Sequence, residues 1–71
     1  MSRDVDTRDL FFAEALGALA PLTREELKLL VEPGSETERV VRETHLGRAD
    51  LAAHLAAELA DAALQALQGH R

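Results

Sequence analysis

Residues 49–68 read ADLAAHLAAELADAALQALQ. Stepped at about 100° per residue, Asp50, His54, Glu58, Asp61, Gln65 and Gln68 fall on one narrow stripe, and every other position is Ala or Leu. A helix on the outside of a single core needs an apolar face of only about a third of its circumference. Here roughly two thirds is apolar, so the pattern predicts a helix that packs on two sides. In a chain of 71 residues the second side points to another copy or another protein.

The apolar positions continue upstream in phase. Val40, Thr44, Leu51, Leu55, Leu59, Ala62 and Ala66 form one stripe. Leu46, Ala53, Ala57, Ala60, Leu64 and Leu67 form a second, with heptad-like steps. Both cross Gly47. The phase favours one continuous or gently kinked helix over 36–68, about 50 Å long at 1.5 Å per residue. The alternative is a corner, with Gly47 as a left-handed C-terminal cap.

Farther upstream, Ser35 and Glu38 have capping-box spacing and start this helix near residue 36. Thr23 and Glu26 form the clearest start signal, with Leu22 and Leu27 as its hydrophobic staple. The helix they open, TREELKLLVE, points Leu27, Leu30 and Val31 inward and stops at Pro33-Gly34. The first helix spans residues 8–20, capped by Asp6 or Thr7, with Asp9 in its first turn and Pro21 as its stop. Phe11, Phe12, Ala15, Leu16 and Leu19 share its broad apolar face, Leu10 lies off it, and Gly17 suggests close helix approach. Residues 1–5 are expected to fray and 69–71 to form a tail. The fold class is therefore all-α: one domain, a small bundle of three or four helices with a long Ala/Leu-rich C-terminal helix, completed by oligomerisation.

Composition supports that last element. A chain this short buries only about 60% of its unfolded surface. It has no Cys for a disulfide or thiolate zinc site, and Phe11 and Phe12 are its only aromatic residues. Association is the remaining way to add stability. The net charge of −5 argues against nucleic acid and against an anionic membrane surface. The polar start MSRDVDTRD lacks a secretory core, and no apolar run approaches a membrane span, so the expected location is cytoplasmic.

Candidate chemistry is sparse. His54, Glu58 and Asp61 lie at one-turn spacing on one helical face, and imidazole with carboxylates could share a metal ion. Because theirs is the only polar stripe of the helix, a solvated edge explains it more simply. Glu14 is the only further inward carboxylate that a two-metal site would recruit. His45 reads as a surface residue or a favourable charge at a helix C-terminus. Ser2 and Ser35 are the only serines, one terminal and one a cap. The four glycines form no phosphate-binding motif. The sequence points away from an enzyme and implies no cofactor.

Two binding readings remain. Residues 36–60 resemble a helix-turn-helix in turn placement, with Gly47 at the turn, 48–60 as recognition helix and Arg39, Arg42 and Arg48 on phosphates. Against it, the recognition helix offers mostly Ala where base readout needs polar groups. Glu36, Glu38, Glu43 and Asp50 also cancel the local arginines. The favoured reading is an interaction module of regulatory, adaptor or accessory type that binds itself and another protein. Its interface would comprise Phe11, Phe12, Ala53, Ala57, Ala60, Leu64 and Leu67, with one phenylalanine facing the core and the other the partner.

Overall fold

The structure, a computed structural model, describes residues 3–69. They form α1 (Arg3–Leu19), α2 (Arg24–Leu29), α3 (Glu36–Glu43) and α4 (Arg48–Gly69), with no strand among the described residues. The all-α class and the long C-terminal helix are thus present.

Helix α1 begins earlier than its polar residues suggest. Asp6 and Thr7 lie inside it rather than capping it. Once a helix is nucleated, each added residue gains a backbone bond, and residues 3–7 contain no Gly or Pro to stop propagation. The backbone of residues 3–5, expected to fray, is helical; residues 1 and 2, and the tail residues 70 and 71, lie outside the described residues. Pro21 ends α1 as expected. Gly17 is exposed, and a Cβ there would meet nothing within 4 Å, so it marks no close helix approach.

Helix α2 starts on a complete capping box: Glu26 N–H donates to Thr23 Oγ1 (3.1 Å) and Thr23 N–H donates to Glu26 Oε1 (2.8 Å). It stops after six residues, well before Pro33. Leu30 N–H donates to the Leu27 carbonyl and Val31 N–H to that of Lys28, three-residue bonds that tighten the last turn. Leu30, the C-terminal cap, keeps right-handed helical dihedrals (φ −88°, ψ −7°). It is 48% exposed instead of facing inward, while Val31 packs on the core. The connection then turns at Pro33-Gly34. Ser35 N–H donates to the Glu32 carbonyl, and Gly34 takes φ +81°, the left-handed position after proline that a type II turn requires.

Helix α3 starts on Ser35, whose Oγ accepts from Glu38 N–H (3.1 Å). The return bond of this box is shifted by one residue: Ser35 N–H is already committed to the turn, so Glu38 Oε1 accepts from Gly34 N–H (2.7 Å). The helix does not continue through Gly47. It ends at Glu43, Thr44 is extended (φ −143°, ψ 141°), and α4 begins at Arg48. Nor is Gly47 a left-handed cap, because Gly34 alone has positive φ among the described residues. The stripes stay in phase across the break because α3 and α4 turn their apolar faces onto the same core. Breaking at 44–47 also carries Leu46 inside, where it is 8% exposed.

Helix α1 lies antiparallel on α4, the most extensive pairing in the molecule; α2 and α3 rest on α4 more lightly. Leu19, Leu27, Leu46, Leu51, Ala52, Leu55 and Ala56 form the buried cluster, against which Phe12, Leu16, Leu22, Val31, Val40 and Val41 pack. At one end, two arginines bind the helix connections together. Arg48 Nη1 donates to the carbonyls of Ala20 (3.0 Å) and Leu22 (3.1 Å), both in the connection between α1 and α2. Arg24 Nε donates to the Leu46 carbonyl (2.7 Å). Each arginine opens its own helix and reaches the other connection.

Arg48→Met keeps the aliphatic stem but removes both donors. It should cost about 1 kcal/mol, a typical net value for lost hydrogen bonds, and lower the thermal midpoint by about 4–8 °C in a domain of this size. An unchanged midpoint would contradict the clasp.

Candidate interaction surface

Both long sides of α4 are used near its start and only one near its end. Leu51, Ala52, Leu55, Ala56 and Ala60 are buried, whereas Leu59, Ala62, Ala66 and Leu67 are exposed. The polar stripe marks the seam between the helices that cover it. Arg8 of α1 pairs with Asp61, and the Thr37 N–H of α3 donates to Glu58 Oε2 (3.4 Å). The stripe is therefore engaged by α1 on one side and α3 on the other rather than being wholly solvated.

This arrangement changes the role of the second apolar stripe. It flanks Asp61 on the side where α1 lies. Ala60 is buried within the chain, at 1% exposed, and Ala53, Ala57 and Leu64 are half-buried. Part of the second packing side expected to meet another copy is thus buried within the chain, beside the point where Arg8 ties α1 to α4. Leu67, at 56% exposed, is the member of the expected interface left open to solvent. Phe12 packs on the core. Phe11 is half-buried and lies outside the core cluster.

The first stripe, in contrast, runs out from under its cover. Helix α3 and the turn before it reach α4 only as far as Glu58. Beyond lies a groove of about 430 Å³ with Leu55, Glu58, Leu59 and Ala62 on its floor and Leu30, Glu32 and Ser35 on its wall. Leu59 is 52% exposed. Ala66 continues the same face one turn farther. The reading of the chain that placed Leu30 in the core missed this wall. No local signal marked it, since Leu27, Leu30 and Val31 have the spacing of one helical face.

The other candidate groups are not assembled into a site. Among the described residues no three His, Cys, Asp or Glu side chains are placed to hold a metal ion, so His54, Glu58 and Asp61 do not converge as ligands. Glu14 is exposed rather than inward. His45 is exposed, with Nδ1 3.4 Å from Arg24 Nη2. The three arginines considered for phosphate contacts have partners within the chain. Arg39 pairs with Glu36 and Glu43, Arg42 with Glu38, and Arg48 holds the two carbonyls described above. The helix that would enter a DNA groove buries Leu51, Ala52, Leu55 and Ala56 near its start.

The Arg8 guanidinium holds the Asp61 carboxyl below its ordinary pKa, through the hydrogen bond first and charge second. A carboxyl with a depressed folded-state pKa adds stability that is present above its unfolded pKa and lost as pH falls through the folded one. The melting midpoint of Asp61→Asn should therefore lie slightly below wild type at neutral pH and match it in strong acid. A gap that persists in strong acid would show that Asp61 acts through something other than its charge.

No protein-family model matches this chain, and neither a curated protein nor a solved structure does.

Proposed function

We propose that this protein is a small helical interaction module that works as an accessory, adaptor or regulatory component by receiving a protein partner in the groove between α4 and the α2–α3 connection. The observation that carries the reading is the placement of Leu30 and Leu59. Both are about half exposed, they face one groove, and they sit at the point where the core of their own chain ends. Clustered apolar side chains edged by polar groups are what protein-binding surfaces retain, since a scattered leucine alone would need no explanation. Helices α2 and α3 start on side-chain caps and polar bonds tie α1 and its connection to α4, so the groove stands on a rigid support.

Self-association is one way to fill the groove. It is less pressing than composition suggests, because part of the Ala-rich stripe is already buried within the chain. A DNA-binding reading gains no support from arginines that are each occupied within the chain.

The test separates binding from folding. Leu30→Gln and Leu59→Gln should leave helicity intact and shift stability by no more than about 0.5 kcal/mol, as for most surface changes. Light scattering after size exclusion, with and without an amphipathic Leu/Ala helical peptide, should show a species heavier than the 7.7 kDa chain that either substitution removes. A wild type that stays at that mass in both conditions would contradict the proposal. So would variants that unfold, since the leucines would then belong to the core.

A further inference from the structure

The charges around the groove narrow what it can take. Its lining includes two ionisable side chains, Glu32 and Glu58, and both are carboxylates. Among the described residues neither is in an ion pair: the nearby Arg39 and Arg42 are held by Glu36, Glu38 and Glu43 of α3. Glu58 receives a single long hydrogen bond from the Thr37 backbone, and Glu32 is exposed. Burying apolar surface beside two carboxylates that lack a counter-charge would weaken binding, unless the incoming chain brings cations to that edge.

The backbone narrows it further. The floor is a regular helix whose amides are already bonded along α4, and no sheet edge exists among the described residues to pair with an extended peptide. A strand entering the groove would lose water from its own N–H and C=O groups without replacement. A helix satisfies its backbone internally and presents apolar residues at i, i+3, i+4 and i+7 to a matching stripe. From Leu59 to Ala66 the open face runs for about 10 Å at 1.5 Å per residue, the span of about two helical turns.

Resting on the interaction reading above, we infer that the groove binds an amphipathic helix of a different protein, with an apolar ridge on Leu30, Leu59 and Ala62 and Lys or Arg along the edge facing Glu32 and Glu58. A second copy of this chain fits less well. It carries the same net charge of −5, and a two-fold pairing through this face would bring the acidic edges together.

The experiment uses the full chain and fluorescently labelled peptides of about fourteen residues with one Leu/Ala ridge. One peptide carries Lys on both flanks and its twin carries Glu at the same positions; a third has the Lys flanks and a scrambled ridge. Anisotropy titrations run at about 50 mM and about 500 mM salt, where screening differs strongly. The Lys peptide should bind at least about tenfold tighter than its Glu twin at low salt, with the ratio falling towards one at high salt. The scrambled peptide should not bind. Leu59→Gln should weaken both ridge peptides, and Glu32→Lys, an exposed change, should erase or reverse the preference. Equal affinity for the twins, still dependent on Leu59, would overturn this inference and leave the interaction module standing. Self-association abolished by Leu59→Gln would do the same and assign the groove to a second copy. Failure of every peptide, with no self-association, would overturn both.

Discussion

The antiparallel contact between α1 and α4 is the constraint on which the rest of this molecule depends. It is the largest helix pairing, and polar ties hold both of its ends: Arg8 with Asp61 at one, Arg48 with the Ala20 and Leu22 carbonyls at the other. The second tie does more than hold two helices. By gathering the carbonyls after α1 it fixes the connection into α2, and Arg24 returns the favour by fixing the connection into α4. The chain has no disulfide, and its buried cluster consists of leucines and alanines only. Directional bonds from arginine, whose planar donors suit carbonyl oxygens, give this small core a definite register.

Helix length then decides what is left uncovered. Helix α4 has 22 residues and α3 has eight. At 1.5 Å per residue these are about 33 Å and about 12 Å. Helices α2 and α3 therefore cover α4 only near its start, while α1 follows it farther. The open groove is the geometric consequence: the apolar stripe of α4 outlasts the elements available to bury it. The interaction role proposed above rests on that mismatch rather than on any reactive group. The pairing of Asp61 and Glu58 with neighbouring helices takes two of the three candidate metal ligands into structural work.

Much of this was legible in the residues, and the misses have physical causes. Thr23 with Glu26 and Ser35 with Glu38 marked two helix starts because a cap is a local interaction, encoded within four positions. The two-sided character of 49–68 was equally legible, since periodicity reports how much of a helix is buried. It does not report by what. On the side assigned to another copy, Ala60 is buried within the chain, which depends on α1, far away in sequence, pairing with α4. Phase alone also favoured a helix running through Gly47. Phase can carry across a short break between helices that share a core, and the break at Thr44 places Leu46 in that core. The groove was the least legible feature. It requires knowing how the six-residue α2 sits on the core, with Leu27 buried and Leu30 half exposed as a wall.

The most direct test of this account is whether α1 lies on α4 within a single chain, with Ala60 buried and Leu59, Ala62 and Ala66 left exposed. The absence of native Cys permits spin labels at Asp9→Cys and Gln65→Cys, both exposed positions. Pulsed electron spin resonance should give one short, narrow distance that survives dilution with excess unlabelled chain. A long or broad distribution, or a short distance that vanishes on dilution, would mean that α4 meets another copy instead and would contradict the account.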